Sequence, residues 1–451
     1  MRATDGLTDA SVDAAVKLRR VRLLVAIVLI GTVASIGFHY MGGYWFGWEY
    51  PRSTFLVVPS EHLKDWSNPY LWAQAIMRGE PAPSIYFPFA FLATAVATAL
   101  PMGLGLALLV ILFLVVLVLM LRGWVVDLQE HALVRFQYGF ILVALSYPVI
   151  FVLDRANQDM LIFAMLAGFL YFLYVRKPAW LAALFLAAAI AYKLYPATFL
   201  LLLLAERRLK LCVLTILLAV ALTAAGTGFL MLEGGYGLGT VWQLNLKEKA
   251  FYQQIMVSEG QGLQHGHSLW GLTRVPSLLM GTGWSSPSDF QTSLYTAGAA
   301  LIFVLLALHV VFREKERWKQ VLLVTVAAVL LPFVSADYAL IHLYFPLLFF
   351  VNSPRVSRWN MTYAALFAVL FIPVDYYYLS LEMMGVSISV IVYPLALVAL
   401  VVLAVLDRAP RRGESAVGLS AGQSSICDAG VECSPHLKPP PAVVGHRTDA
   451  R

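Results

Sequence analysis

Charged side chains are scarce in this sequence. Asp, Glu, Lys and Arg make up 13% of the 451 residues, whereas hydrophobic residues make up 60% and the mean hydropathy is +0.76. A soluble globule of this length needs more polar side chains to cover its surface. The composition therefore excludes a soluble domain and predicts an integral membrane protein that crosses the bilayer several times.

Cysteine is also rare, and the three present are Cys212 in an apolar run and Cys427 and Cys433 in the polar C-terminal tail. Their spacing matches neither a metal site nor a disulfide framework. The sequence also lacks a Gly-rich nucleotide-binding loop and an Asp-x-Asp motif, so it indicates no metal ion and no cofactor. The net charge of +6 does not predict nucleic-acid binding, because the basic residues form short clusters between apolar runs.

Apolar runs separated by short polar turns predict an all-α polytopic fold with about twelve transmembrane helices. The predicted membrane domain covers residues 21–406 and follows a polar cytoplasmic segment at 1–20. Two long loops, at about 39–102 and 233–293, interrupt this domain. The tail at 407–451 is rich in Gly, Ser and Pro and has no apolar period, which predicts a disordered cytoplasmic segment.

The apolar segment Tyr86–Leu100 decides which helix ends face the cytoplasm. It is short and contains Pro88. If this segment does not cross the bilayer, most of the later Lys and Arg residues fall on the cytoplasmic side, as the positive-inside rule requires. The exceptions, which then face outward, are Arg155, Lys193, Lys247, Lys249 and Arg274. The sequence thus predicts an inner-membrane protein with both termini inside, both long loops outside and a helix lying along the outer face at this segment.

Ionisable residues at membrane depth are costly unless they have a function, so the outward-facing ones are candidates for chemistry. Asp65 lies in the first long loop, directly before an aromatic amphipathic stretch that ends near Gly79 and Pro81. A carboxylate at this position can act as a base at the membrane surface. On spacing alone, the preferred interpretation is instead an N-cap of the following helix.

A second group is the outer turn at 155–159 (Arg-Ala-Asn-Gln-Asp) together with Lys193, which precedes Tyr195 and Pro196. Two cations, Arg155 and Lys193, predicted at one membrane depth are suited to binding a phosphate group. A structural ion pair within the turn and a snorkelling Lys193 are the alternatives. The short apolar pieces around Lys193 predict a broken helix that lines a cavity.

The later outer segments carry the remaining candidates. His265 and His267 are one residue apart with no carboxylate nearby, which is a weak metal signal and favours hydrogen bonding to a polar ligand, as does Arg274. A shorter outer turn carries Asp337 and, one turn later, His342. The carboxylate of Asp337 is expected to cap the next span.

These motifs resemble those of glycosyltransferase family 87, a group of polyprenyl-phosphate-dependent mannosyltransferases within the type C membrane glycosyltransferases. The resemblance covers about 20–405. Its most specific element is 191–196 (Ala-Tyr-Lys-Leu-Tyr-Pro), which is similar to the Lys-x-Tyr-Pro signature of the family. Residues 155–159 resemble the family's Arg/Gln-Gly-Asn-x-Asp/Asn, with Ala156 in place of the commoner glycine, and 267–272 resembles its Ser-Leu-x-Gly-Leu segment.

The resemblance implies the type C fold and transfer of a hexose, mannose in the family, from a polyprenyl phosphate donor to a glycolipid or polysaccharide acceptor. It places this reaction at the outer face, with inversion at the anomeric carbon. It also gives Asp65 the role of catalytic base, which reverses the preference for a helix cap. Arg155 and Lys193 would hold the donor phosphate. The residues expected to contact substrate are Asn157, Asp159, Tyr195, His267 and Arg274.

Other classes of protein also fit parts of this pattern. Broken helices and intramembrane charges are typical of transporters, but the two halves of the chain show no internal repeat, and uptake of a solute without sugar transfer would identify that class. A polymerase or ligase would move a preassembled glycan from a lipid diphosphate donor, and competition between monophosphate and diphosphate donors would separate it. A membrane scaffold would leave the outer Asp, Arg, Lys and His residues without a common purpose.

Overall fold

Helices account for nearly all regular structure in this protein. The computed structural model describes residues 5–80, 87–125, 132–280, 287–354, 357–381 and 385–407. The α-helices are α1 (Asp5–Phe46), α2 (Lys64–Met77), α3 (Pro88–Ala97), α4 (Met102–Val125), α5 (Ala132–Ala144), α6 (Tyr147–Arg155), α7 (Asp159–Tyr174), α8 (Trp180–Tyr192), α9 (Leu200–Ala205), α10 (Leu209–Glu233), α11 (Leu238–Tyr252), α12 (Leu269–Leu279), α13 (Asp289–Leu308), α14 (Arg317–Leu330), α15 (Tyr344–Val351), α16 (Asn360–Val369) and α17 (Ser389–Leu406).

Shorter elements connect these helices. There are 3-10 helices at Pro59–Glu61, Tyr195–Phe199, Gln261–Leu263 and Asp337–Leu343, and π-helices at Gln253–Ser258 and His309–Arg313. Two short strands, β1 (Tyr378–Ser380) and β2 (Val386–Ser387), pair antiparallel. The architecture is therefore mostly helical, as the apolar pattern predicts. The predicted disordered tail lies outside the described residues from Arg408 onward.

Five helices in the described ranges are long and apolar enough to cross a membrane. They are Ala14–Phe46, Met102–Arg122, Leu209–Glu233, Asp289–Arg313 and Ser389–Leu406. The pair α5 and α6 adds a sixth if it is one span, although its two halves meet at 48°. The other apolar helices have 10–17 residues, too few to cross the 30 Å core of a bilayer without tilting or joining a neighbour. The chain is thus a membrane protein, and the number of about twelve spans stays a prediction.

The predicted break around Lys193 is present. Helix α8 ends at Tyr192, Lys193 is extended with φ −142° and ψ 149°, and a 3-10 helix begins at Tyr195 with Pro196 in its first turn. Proline has no backbone N–H, so Pro196 cannot continue the hydrogen bonds of α8. The break projects polar side chains from the middle of an apolar run.

Helix α3 covers most of the segment on which the sidedness depends. It has 10 residues, and at 1.5 Å per residue it is about 15 Å long, half the thickness of the hydrocarbon core. It is therefore too short to cross the membrane alone. Helix α10 lies directly against it, because a Cβ atom at Gly226 would come within 2.4 Å of the Phe89 nitrogen.

Helix α1 is longer than the first span that the sequence predicts, at 21–38. It runs without a break from Asp5 to Phe46, because Lys and Arg are also good helix formers. Its Arg20 side chain is buried and donates hydrogen bonds to the Phe350 carbonyl oxygen (2.8 Å) and to Asn360 Oδ1 (2.9 Å). These bonds fasten α1 to α15 and α16.

The two neighbouring helices α13 and α14 show where the core lies. Every residue of α14 from Trp318 to Leu330 is buried, whereas no residue of α13 is. An apolar helix buried on all sides belongs to the interior, whereas a long apolar helix with no fully buried residue suits contact with lipid. Helix α14 packs against the 3-10 helix Tyr195–Phe199 and against α15. The broken helix at Lys193 is therefore supported by the most buried part of the protein.

Candidate active site

A tight turn between α6 and α7 brings three predicted site residues to one end of the helices. Arg155 is the last residue of α6, Asp159 is the first of α7, and Ala156 between them has a left-handed backbone with φ +49°. That conformation costs an L-residue about 1 to 2 kcal/mol and suits glycine. The strained turn connects α6 to α7 within three residues, with Asn157 at its centre.

The Asp65 side chain does not cap a helix. The structure places it in the first turn of α2, whose N-cap is Leu63, and no side-chain capping bond is formed there. Its Oδ2 accepts hydrogen bonds from Arg155 Nε (3.1 Å) and Asn157 Nδ2 (2.6 Å), and its Oδ1 accepts a short one from Arg155 Nη2. The cap, which spacing alone favours, is therefore wrong. Asp65 instead joins α2 to the turn after α6.

A second ion pair lies beside the first. Lys193 Nζ donates to Asp159 Oδ1 at 2.6 Å, and the Asp159 carboxylate is 1% exposed. His342 Nε2 lies 3.8 Å from Asp159 Oδ2 and 2.6 Å from the hydroxyl oxygen of Tyr195. Because Asn157 Oδ1 accepts the backbone N–H of Asp159 at 2.8 Å, one amide side chain connects the two carboxylate residues.

A cavity of about 510 Å³ opens next to the Lys193–Asp159 pair. Its polar and aromatic lining residues are Phe87, Asp159, Tyr192, Lys193, Tyr195, Trp242, Asn245, Lys249, Tyr252, Ser335 and Tyr338. Leu194, Trp242 and Leu246 are also part of the lining, and each has at least half of its surface exposed. The cavity thus combines a charged floor with apolar side chains at its opening.

Asp65, Arg155 and Asn157 do not line this cavity themselves, but Tyr252 and Tyr338 lie between the two groups. Both tyrosines line the cavity and both interact electrostatically with Asp65. Burial raises the pKa of the Tyr252 hydroxyl above its ordinary value of 10. The hydroxyl of Tyr252 is therefore protonated at neutral pH and can donate a hydrogen bond into the cavity.

His267 belongs to a separate buried network. Its Nδ1 lies 3.0 Å from Asp337 Oδ1 and its Nε2 lies 3.0 Å from the Ser335 hydroxyl, while Tyr147 donates to Asp337 Oδ2 at 2.9 Å. His267 and Asp337 are fully buried and neither lines the cavity. His267 thus fastens the loop before α12 to the segment that carries Ser335 and Tyr338. Its contact with substrate stays a prediction.

Arg274 also lies outside the cavity lining. Its guanidinium packs over the Trp270 ring at 5.6 Å and donates to Gln291 Oε1 at 3.3 Å. It thereby joins α12 to the start of α13. The predicted role of Arg274 in substrate binding is likewise untested by these contacts.

Helix α11 supplies a wall of the cavity that the sequence reasoning missed. Trp242, Asn245, Leu246, Lys249 and Tyr252 all line the cavity and recur every three or four residues, which places them on one face of a helix. That spacing was visible in the sequence. The spacing alone does not predict a cavity wall, because a polar and aromatic stripe in an outer loop is also typical of a helix that only lies on the membrane surface.

The described part of the chain contains no cluster of three His, Cys, Asp or Glu side chains able to hold a metal ion. The site is built instead from two carboxylates, each paired with a cation. Such a pair of acids at different positions suits one proton transfer and one electrostatic role.

Comparison with known proteins identifies the family of this chain. No curated protein and no solved structure matches the chain significantly. The sequence model of glycosyltransferase family 87 matches residues 85–335, which is more than half of the 451 residues. The matched region contains the turn at 155–159, Lys193 and the whole of α11, whereas Asp65 precedes it. With its long apolar helices and this match, the chain belongs to glycosyltransferase family 87 and is a membrane glycosyltransferase.

Proposed function

We propose that this enzyme transfers a hexose, mannose by its resemblance to the family, from a polyprenyl phosphate to a hydroxyl of a glycolipid or polysaccharide. The reaction takes place at the outer face of the membrane and inverts the anomeric carbon. The observation that carries the proposal is the side-by-side arrangement of the Asp65–Arg155 pair and the Lys193 cavity, joined through Asn157. The Asp65–Arg155 pair would act on the acceptor, and the Lys193–Asp159 pair would bind the donor.

The donor would enter through the apolar opening of the cavity. Leu194, Trp242 and Leu246 offer exposed apolar surface there, which suits an isoprenoid chain better than a nucleotide. Its phosphate would then lie near Lys193, whose side chain is 18% exposed. A Lys ammonium can bind phosphate as a point charge while it remains paired with Asp159.

Asp65 is the proposed base. A carboxylate has about four lone-pair positions, and three hydrogen bonds from Arg155 and Asn157 occupy three of them. One position remains for the acceptor hydroxyl. In the proposed step the acceptor proton passes to Asp65 while the acceptor oxygen bonds to the anomeric carbon. The bond from that carbon to the phosphate oxygen breaks, and its electron pair leaves with the phosphate.

No general acid is needed on the leaving side, because a phosphate departs as a stable anion. The charge that develops on it would be stabilised by Lys193 and by the Tyr252 hydroxyl, in a site with few competing waters. Arg155 is bound to Asp65 and does not line the cavity, so we assign it the positioning of the base. Its predicted contact with the donor phosphate is left to experiment.

The remaining predicted residues take supporting roles in this proposal. Asp159 holds the Lys193 ammonium and His342 holds the Tyr195 hydroxyl, so both bonds orient groups that face the donor. Asn157 fixes the spacing between the two pairs. His267 and Arg274 shape the pocket indirectly, through the loops that they fasten.

The test is transfer of radiolabelled mannose from polyprenyl phosphate mannose in membranes that contain the Asp65→Asn variant. Removing a general base should lower kcat by about 100-fold to 10,000-fold. Glu61→Gln is the matched control, since Glu61 lies in the same loop and also contacts Arg155, with 3.5 Å between Oε2 and Nη1. Wild-type activity in a well-expressed Asp65→Asn variant would remove Asp65 as the base, and a wild-type enzyme that accepts only nucleotide sugars would refute the lipid donor.

A further inference from the structure

The cavity wall carries one positive charge more than negative ones. Its charged lining residues are Asp159, Lys193 and Lys249. Asp159 and Lys193 form an ion pair of 2.6 Å. Lys249 is exposed, and within the described ranges it forms no ion pair or hydrogen bond through its ammonium group. The surplus charge of the cavity therefore belongs to Lys249, which lies on α11.

Lys249 faces the cavity because of its position on α11. It lies one turn after Asn245 and close to one turn before Tyr252, and all three line the cavity. Lys247 is two residues away on the same helix, is exposed, and does not line the cavity. Residues two apart on a helix point in nearly opposite directions. The two lysines thus differ in what they face and not in exposure or charge.

A lysine near the C-terminal end of a helix can also act on the helix dipole. That effect is confined to the last turn. Here α11 ends at Tyr252, but the backbone continues directly into the π-helix Gln253–Ser258. Lys249 is therefore more than two turns from the end of the helical backbone, and the dipole gives no reason for a cation at this position.

We propose that Lys249 binds the donor phosphate and that its single surplus charge selects a monophosphate-linked over a diphosphate-linked sugar. This inference rests on the proposed function and deepens it. A sugar joined to a lipid through one phosphate is a diester with a single negative charge at neutral pH, whereas a diphosphate linkage carries two. One unpaired ammonium balances the first donor and leaves the second with an uncompensated charge in the cavity.

Lys249 also interacts with the phosphate group that leaves in the reaction. When the sugar leaves, the lipid phosphate becomes a monoester with a charge of about −1.5 to −2 at pH 7. An ammonium that has no carboxylate partner gains more attraction as this charge grows than one already paired, as Lys193 is with Asp159. Lys249 thus binds the donor and also stabilises the departing phosphate.

The test measures binding of decaprenyl phosphate mannose, decaprenyl diphosphate mannose and uncharged decaprenol to the purified full-length protein in nanodiscs. Lys249→Ala should bind decaprenyl phosphate mannose about tenfold more weakly than wild type, whereas Lys247→Ala should bind like wild type and Lys249→Arg should recover most of the affinity. Asn245→Lys, which adds a second cation one turn away, should raise the affinity for the diphosphate-linked mannose relative to the monophosphate-linked mannose. Thermal unfolding of each variant verifies that the fold is retained.

Three other results would contradict parts of the proposal. Equal affinities for decaprenyl phosphate mannose in Lys249→Ala and Lys247→Ala would overturn the inference and leave the proposed function standing. Wild-type protein that binds the diphosphate-linked mannose as tightly as the monophosphate-linked mannose would overturn the charge selection. Wild-type protein that binds decaprenol as tightly as decaprenyl phosphate mannose would overturn the phosphate site and the proposed function together.

Discussion

Arg155 donates two hydrogen bonds to the carboxylate of Asp65, a residue 90 positions earlier in the chain. The sequence assigns these side chains to different tasks, one as a phosphate ligand and one as a base. The structure joins them in one bidentate pair between the end of α6 and the start of α2. The pair holds the carboxylate in a single orientation, with Asn157 as its third contact.

Substituting Arg155 should therefore affect the chemical step more than donor binding. We expect Arg155→Met to lower kcat by about tenfold to a hundredfold, because a misplaced base loses the alignment on which the reaction depends. The KM for the donor should stay within about twofold of wild type. Arg155→Lys keeps the charge but cannot form the bidentate pair, so it should lose nearly as much. A raised donor KM with unchanged kcat would instead support the direct phosphate contact that the sequence predicts.

The Lys193–Asp159 pair can be tested with a double-mutant cycle. Lys193→Met or Asp159→Asn alone removes one member of this ion pair at a position where the carboxylate is 1% exposed, which should cost about 3 kcal/mol. The double variant should recover part of that stability but not the donor affinity, because the ammonium is still absent. The exposed pair Arg78–Glu80 is the control, and its disruption should change the unfolding temperature little.

If the double variant regained both stability and activity, Lys193 would be a purely structural residue. Donor KM measured beside the unfolding temperature separates these cases, since stability alone does not report contact with the substrate.

The contact between α3 and α10 gives a matched pair of glycine substitutions. A Cβ atom at Gly226 would lie 2.4 Å from the Phe89 nitrogen, whereas one at Gly228 would meet nothing within 4 Å. Gly226→Ala should destabilise the protein by about 1 to 3 kcal/mol, since the backbone of α3 has to move. Gly228→Ala should be neutral or slightly stabilising, because alanine favours helices. Equal unfolding temperatures for both variants would contradict the close packing of these helices.

His265 should give the protein a stability change on the acid side. Burial lowers its pKa from the ordinary value of 6.5 to about 4, and both ring nitrogens are buried without a hydrogen-bond partner in the described structure. Above pH 6.5 the imidazole is neutral in both the folded and the unfolded state. As the pH falls from 6.5 towards 4, only the unfolded state takes up the proton, so stability decreases, by as much as about 3 kcal/mol.

The variant His265→Asn does not titrate in this range, and asparagine tolerates the left-handed backbone at this position, where φ is +51°. Its unfolding temperature should depend less on pH between 7 and 4.5 than that of wild type. Parallel curves for the two proteins would show that another group causes the loss of stability in acid.

Cysteine labelling can test which loops of the protein face the outside of the membrane. In a background without the three native cysteines, Lys247→Cys should react with an impermeant maleimide added to intact cells, and Lys177→Cys should react only after the membrane is opened. Both positions are exposed, so burial does not decide the result. The reverse pattern would put the cavity on the cytoplasmic side, where a nucleotide sugar is available as a donor.

Local sequence features predicted several elements correctly because their causes are local. The low charge content indicates a membrane protein, since apolar side chains in such number need a bilayer as solvent. The break at Lys193 follows from Pro196 and the short apolar pieces around it. The end of α2 near Gly79 follows from the left-handed backbone there, with φ +74°, which glycine adopts without strain.

Only the tertiary structure decided which charged groups contact each other. Local spacing indicated a cap for Asp65, and it left open an ion pair within the turn for Arg155. Both readings consider neighbours along the chain, whereas the actual partners are 90 residues apart. Likewise, nothing local to α11 shows that Lys249 lines the same cavity as Lys193. Electrostatic energy depends on distance in space, and only the packing of the helices sets that distance.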